Sequence, residues 1–480
     1  MLWNSFQQFL PILVLILVVA FVLARLPKVE LGHSPEFLRR RVWNWLPLGL
    51  TYAFLYMGRY NLNVAKNALG DVITIADFNT IFMVGTWVYG LSFIVNGPLA
   101  DKWGGRRTIL ISAVGASIAN FVMGVVVFLF GQGSFAADQV VPAFVLCYAV
   151  NMYFQSFGAV SIVKVNAAWF HLRERGTFGG IFGILISLGI YFAFDIGSLI
   201  VKNAPVHLVF MIPTVLLLVF ALIDWFLVFD TPGSVGLKDF DTGDASSGDT
   251  GERLPALEVA RRMIANPVMV TIAVIEFCSG FLRNAVMQMY PIFAKQTGVQ
   301  HFVSSNWGLM NCVAGILGGV FAGTISDKLF HSRRGPVSSI LYGILFVGAF
   351  LAVVLLGSPM LGWVVSFMML AVIGVHGMLS GAASMDFAGK RNVGVAVGLI
   401  DGMVYLGTGL QALVYRSILP AGDAAKDPAN WSNWPIAMVP VAGAGLWLAA
   451  RLWNARPVAK ASQMPHFEAT DSRGTEPAQG

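Results

Sequence analysis

Read by hydropathy, the chain alternates apolar runs of about 20 residues, the length that crosses a bilayer as a helix, with short polar or glycine-rich breaks. Six runs fall at about 43–66, 78–100, 108–130, 139–170, 178–200 and 206–229, and six more at about 268–294, 304–325, 337–357, 361–386, 393–419 and 434–453. Each predicts a membrane-spanning α-helix, because backbone exposed to lipid must satisfy its own hydrogen bonds. A further apolar run, QFLPILVLILVVAFVLAR, covers residues 8–25. No lysine or arginine precedes it and no small-x-small site follows it, so it reads as an uncleaved extra helix with its N-terminus outside. A helix lying in the membrane interface is the alternative.

The long polar interior segment is 230–265, with GDASSGDTGE at 243–252, the composition of a solvated linker. The fold class is therefore an all-α polytopic membrane protein with 12 core helices in two six-helix halves and an extra N-terminal helix. The expected divisions are 1–42 (extra helix and basic linker), 43–229 (first half), 230–265 (cytoplasmic linker), 266–453 (second half) and 454–480 (cytoplasmic tail). The halves echo each other. GPLADKWGGRR (97–107) follows the second helix, and SDKLFHSRRG (326–335) follows the eighth. Asp101, Arg106 and Arg107 in the first loop answer Asp327, Arg333 and Arg334 in the second, the mark of an internal duplication. Acid beside base in a tight turn can lock two helix ends, so these residues read as gating structure.

Composition sharpens the class. Hydrophobic residues make up 56% and charged residues 12% of 480, with mean hydropathy +0.71, far from a soluble domain. The net charge of +6 is not a nucleic-acid signature, since the cations concentrate on one set of loops: Arg39–Arg41, Lys102, Arg106, Arg107, Arg173, Arg175, Arg261, Arg262, Lys328, Arg333, Arg334, Lys390 and Arg391. The other set holds Lys202, Lys295 and Lys426. The positive-inside rule puts the first set and the C-terminus in the cytoplasm. Cys147, Cys278 and Cys312 lie in apolar runs without metal or redox spacing, as small core residues do. No nucleophile–base constellation, nucleotide loop or metal cluster is visible, so neither an enzyme nor a cofactor is expected.

Against this background two cations stand out. Arg59 lies in the middle of the first core helix and Arg283 in CSGFLRNAVMQMYPIF of the seventh. A guanidinium does not shed its proton in a protein and must find a partner. Two of them at matching places in duplicated halves predict one shared anion site. Tyr52, Tyr56 and Asn63 lie at or near helical spacing from Arg59, and Asn284 and Gln288 flank Arg283. Tyr153 and Gln155 fall in the middle of the fourth helix, and Lys164 could face the cavity at its cytoplasmic end. Glu276 precedes Arg283 by two turns on the same face. It could hold Arg283 or titrate to couple protons. Asp195, Asp386 and Asp401 are costly in lipid and therefore functional or structural in a buried network. Asp224 reads as interfacial, and His376 as structural.

The chain resembles the organophosphate:phosphate antiporter family of the major facilitator superfamily, over most of residues 43–455. The motifs are Tyr56-x-x-Arg59-x-Asn61, Glu174-Arg175-Gly176, FDTPGSVGL (229–237), Arg283 followed by Pro291, SDKLFHSRRG, and GKRNVGVAVGLIDGMVYLG (389–407). The resemblance implies the major facilitator fold, a bacterial inner-membrane location and a phosphate bound between Arg59 and Arg283. It implies no cofactor and no metal. The partners expected are a phosphate ester, inorganic phosphate and the bilayer, with the chain a monomer. The expected ligand set is Arg59, Arg283, Lys164, Tyr56, Tyr60, Asn63 and Gln288. Coupling or charge-pair candidates are Glu276, Asp401 and Asp195.

The match is incomplete. Glycerol-3-phosphate transporters of the family carry a lysine where this chain has Tyr60, another at Phe93, and a histidine near Ala168. The phosphate-binding pair is kept while the second cationic shell is reduced, with Lys164 and Lys66 available to replace it. The expected activity is exchange of an organophosphate for inorganic phosphate by rocker-switch alternating access. The alternatives are a proton-coupled carrier for a sulfonate or carboxylate, and a membrane sensor of a sugar phosphate.

Overall fold

The computed structural model describes residues 31–171, 175–242, 255–299, 301–330 and 334–454. The 8–25 run, Arg173 and Glu174, the 243–252 stretch, Arg333 and the tail beyond 454 lie outside the described residues, as do the side chains of Asp327 and Asp386. The first half is built from α1 (Pro35–Leu69), α2 (Ile75–Trp103), α3 (Gly105–Gly131), α4 (Ala137–Trp169), α5 (Arg175–Tyr191) and α6 (Leu208–Leu227). The second is built from α7 (Pro267–Met287), α8 (Trp307–Leu329), α9 (Arg334–Val354), α10 (Leu361–His376), α11 (Ser384–Ile418) and α12 (Asn433–Arg451). Ten spans are long and apolar enough to cross a membrane by length and composition. Among the described residues α1 is absent from that group, because its middle is tyrosine, asparagine and arginine rather than aliphatic. Residues 51–66 of it are buried without a break.

Local chemistry sets the starts. The Ser34 hydroxyl accepts from Phe37 N at 3.2 Å at the head of α1, and Thr74 and Asp77 exchange bonds at the head of α2, each satisfying amide protons the first turn leaves over. Asn266 caps α7 through Val268 N at 3.0 Å. The large apolar side chains that stay exposed, such as Ile94, Ile118, Leu222 and Phe367, are those a lipid-facing surface requires.

Three breaks depart from regular α-helix. Helix α5 continues through a π-helical turn (Phe192–Ile196) into Gly197–Asn203, and α10 continues through a π-helical segment (Gly377–Ala383). Helix α7 breaks at Gln288 and resumes as Met289–Thr297. Such interruptions mark places where a helix gives up regularity for a side-chain position.

The halves meet along two seams, α2 against α11 and α5 against α8. Glycine makes the first possible. A Cβ on Gly90 of α2 would lie 2.9 Å from the Gly402 carbonyl oxygen of α11. On the other side of α11, a Cβ on Gly280 of α7 would fall 1.8 Å from the Val404 carbonyl oxygen. Helix α11 is thus pressed between α2 and α7, with Tyr405 between them.

Among the loops, Asp230 of FDTPGSVGL accepts from Arg106 N at 2.9 Å at the first turn of α3, a carboxylate placed at the positive end of a helix. The Arg106 guanidinium donates to the Trp225 carbonyl and lies 4.4 Å from the Phe229 ring centroid. Arg107 is exposed. Arg334 Nη1 donates to the Met378 carbonyl at 2.8 Å. Asp224, expected at the interface, is fully buried and accepts from Thr51 Oγ1 at 2.6 Å. Its helix packs on α1, so the carboxylate faces protein rather than headgroups. Cys278 and Cys312 are buried and Cys147 partly so, all three as free thiols.

Candidate anion-binding site

Arg59 has no exposed surface. Its Nε donates to Gln155 Oε1 of α4 at 2.8 Å, Nη2 donates to the Tyr89 hydroxyl of α2 at 3.1 Å, and Nη1 donates to the Tyr405 hydroxyl of α11. Its Cζ lies 4.6 Å from the Tyr56 ring centroid and 4.5 Å from that of Tyr89. Cation–π contacts and neutral hydroxyls thus hold the charge, and no carboxylate does so among the described residues. Arg283 is 5% exposed. Its Cζ lies 5.5 Å from the Tyr405 ring, against 5.4 Å for Arg59. Among the described residues Arg283 has neither a hydrogen-bond acceptor nor a carboxylate partner. Two permanent cations from opposite halves therefore share one aromatic ring, and among the described residues neither has a carboxylate partner. Arranged this way they can take a bidentate, multiply charged oxyanion, which matches the guanidinium fork.

A polar scaffold behind Arg59 sets its position. Gln155 Nε2 donates to Asn151 Oδ1 at 3.0 Å, and Asn151 Nδ2 donates to the Gly58 carbonyl at 3.0 Å. Asn120 on α3 donates to Asn151 Oδ1 and to the Gly58 carbonyl and accepts from Asn61 Nδ2 at 3.0 Å. The Tyr148 hydroxyl donates to the Arg59 carbonyl at 3.1 Å. Helices α3 and α4 thus fix one turn of α1.

Of the expected ligand set, the structure brings Arg59, Arg283, Tyr56 and Tyr60 together. Tyr56 and Tyr60 stand within electrostatic range of both guanidiniums. Tyr52, Tyr56 and Tyr60 form a ladder along α1 with centroids 5.2 and 5.7 Å apart. Asn63 and Gln288 do meet, but each other: Asn63 Nδ2 donates to Gln288 Oε1 at 2.8 Å and to its carbonyl at 3.0 Å. That pair bridges α1 to the break in α7. Asn284 donates to Gln411 Oε1 of α11. Lys164 is not brought to the arginines. Its Nζ lies 2.5 Å from Asp101 Oδ1, nine residues along α4 from Gln155 and so about 13 Å along the axis. Lys66 is buried two turns beyond Arg59. Phe93 is buried with its ring edge-on to Tyr89, centroids 5.0 Å apart.

The carboxylates take separate places. Asp195, in the π turn of α5, accepts from Gly308 N at 2.7 Å and Leu309 N at 2.8 Å, capping α8 across the seam between the halves. Asp401 accepts from Ser380 Oγ. Glu276 does not hold Arg283. Its Oε2 lies 2.9 Å from His376 Nδ1 on α10, a partner that spacing along α7 does not show. Tyr89, Tyr405, Asn120 and Asn151 were not singled out by sequence reasoning. Tyr405 lies inside the 389–407 motif, and the two asparagines are polar residues in apolar runs, the one available signal.

This architecture defines the class. The model of the Major Facilitator Superfamily matches residues 48–412, and the chain belongs to that superfamily as a multi-pass integral membrane protein. The relatives include a membrane sensor protein UhpC of Salmonella typhimurium, 23% identical over 82% of this chain and 88% of the relative. A glycerol-3-phosphate transporter of Bacillus subtilis is 24% identical over 90% of this chain and 96% of the relative. A probable hexose phosphate transport protein of Chlamydia trachomatis is 23% identical over 88% and 94%. These are relatives from the organophosphate:phosphate antiporter family, which the six motifs resemble. Among solved structures, an inward-facing bacterial homolog of the human lysosomal transporter Spinster superposes with TM-score 0.63 at 13% identity, covering 88% of this chain and 98% of that one. That likeness concerns the fold.

Proposed function

We propose that this protein is a secondary transporter that exchanges a phosphate ester for inorganic phosphate by rocker-switch alternating access. The observation that carries the reading is the pair Arg59 and Arg283, buried, from opposite halves, on one tyrosine ring and without a carboxylate partner among the described residues. The names of the glycerol-3-phosphate and hexose phosphate relatives support the substrate class. The anion lies between the guanidiniums, draws the halves together and lowers the barrier to reorientation. Closure on one face rests on the Asn63–Gln288 pair and the Asp195 cap of α8, and on the other on the loops at 101–107 and 327–334. The halves are 43–229 and 266–453, the chain works as a monomer in a bacterial inner membrane, and its C-terminus is cytoplasmic. Tyr60 and Phe93 stand where glycerol-3-phosphate transporters of the resembling family carry lysine. They make the organic end of the site more apolar, so glycerol 3-phosphate is not the assumed substrate.

The test is uptake of labelled phosphate esters into proteoliposomes preloaded with phosphate. Uptake that requires internal phosphate and collapses in Arg59→Lys and Arg283→Lys is expected. Intact uptake and phosphate exchange in both variants would refute the site. The relation to a membrane sensor gives a second reading, and ligand binding without any counterflow would establish it instead.

A further inference from the structure

We infer that Glu276 and His376 form a proton-binding site coupled to the anion site at Arg283. The inference rests on the anion reading above and adds a coupling ion to it. Glu276 has no exposed surface and His376 little. One carboxylate oxygen meets His376 Nδ1 at 2.9 Å, while the other, Oε1, is buried with no hydrogen-bond partner among the described residues. An ionised carboxylate is an acceptor at both oxygens, and one left bare in a low-dielectric interior is costly. A proton on the pair removes that cost. With two protons shared between carboxylate and imidazole the pair is neutral overall. With one it carries a net negative charge.

Glu276 and Arg283 lie seven residues apart on one face of α7, about 10 Å along the axis. The Arg283 cation, which has no carboxylate partner among the described residues, therefore attracts the negative state of the pair. A phosphate oxyanion bound at Arg283 cancels that field and favours the protonated state. Anion and proton then bind each other's form of the protein more tightly, which is linkage in the thermodynamic sense. The π-helical segment Gly377–Ala383 begins directly after His376 and its Ser380 donates to Asp401, so the pair sits where α10 is built to shift register.

The surrounding titratable groups leave this assignment standing. From α9, the Tyr342 hydroxyl donates to the Ile275 carbonyl at 2.6 Å, and Arg334 is committed to the Met378 carbonyl. Cys278 on α7 and Cys312 on α8 are buried thiols. On the linker helix Ala256–Ala265, Glu258 pairs with Arg262 at 2.8 Å and Arg261 is exposed. Described titratable side chains on α12 reduce to Arg451 at its end, which lies over the Trp447 ring.

The experiment titrates purified protein in detergent with inorganic phosphate by calorimetry, in two buffers of different ionisation enthalpy, to count protons taken up per anion bound. Wild type is expected to take up more protons than Glu276→Gln, the phosphate's own share being common to both. Its affinity should rise about tenfold as the pH falls across the titration, with Glu276→Gln changing far less. His376→Gln should lose the excess proton too. Glutamine keeps the shape and one hydrogen bond, so folding is retained. In parallel, the infrared carboxyl band, assigned by difference against Glu276→Gln, reads the proton without any anion. Equal proton counts in wild type and Glu276→Gln, or no difference band at any pH, overturn the inference. Failure of wild type to bind phosphate would count against the anion reading, and the infrared titration then decides the proton site by itself.

Discussion

The Arg59 guanidinium on α1 donates through Nη1 to the Tyr405 hydroxyl on α11, and so ties the first half of the chain to the second. The same ring faces Arg283 at 5.5 Å. Tyr405 is the meeting point of the two charges and of the two halves.

Replacing Tyr405 by Phe keeps the ring for both cations and removes one acceptor. A buried charged donor left short of a partner costs about 1–3 kcal/mol. Ligand-free Tyr405→Phe should melt several degrees lower than wild type, about the shift that much free energy produces, and inorganic phosphate should restore more of the loss than it adds to wild type. Melting curves with and without phosphate make the comparison. Identical curves would mean that the hydroxyl does not hold Arg59.

The asparagines behind Arg59 act through position, not contact. Asn151→Ala deletes a donor to the Gly58 carbonyl and an acceptor for both Gln155 and Asn120. Phosphate affinity should fall about tenfold, the order of one charged hydrogen bond misaligned. A variant that binds phosphate as wild type does would show that the network is packing alone.

Lys164 and Asp101 form an ion pair 2.5 Å long. If the pair is structural, Lys164→Met slows exchange several-fold with phosphate affinity unchanged, and the swap Lys164→Asp with Asp101→Lys restores much of the rate. Loss of phosphate affinity in Lys164→Met would return Lys164 to the ligand set.

Asp195 holds the α5–α8 seam with two backbone bonds. Removing both in Asp195→Ala costs about 1–3 kcal/mol for each unsatisfied amide. That is enough to shift a two-state population severalfold. Spin labels at Lys202 and Lys295, which line a cavity of about 750 Å³ from opposite halves, should report longer distances in Asp195→Ala. Unchanged distances would remove Asp195 from the gate.

Much of the fold was legible because apolar run length and loop charge are local properties. The two arginines were legible for a related reason, since a charge inside an oily helix has few explanations. Partners across the bundle were not legible. Nothing in the spacing of α1 says that Asn63 meets Gln288 rather than a ligand, or that Arg59 meets Tyr405. Such pairings depend on which glycines let helices approach, as Gly90 and Gly280 do. Helical spacing likewise joined Glu276 to Arg283 on one face, whereas the carboxylate turns to His376 on α10. Lys164 read as cavity-facing because Asp101, its partner, is distant in the chain.

The central claim is that Arg59 and Arg283 form one anion site. Its most direct test is the affinity for inorganic phosphate of wild type, Arg59→Lys, Arg283→Lys and the double variant. Lysine keeps the charge and loses the bidentate fork. If both guanidiniums grip one anion, each single change costs about 100-fold and the double costs little more, the non-additivity of neighbours sharing a ligand. Losses that simply add, or either single variant binding phosphate like wild type, would contradict a shared site.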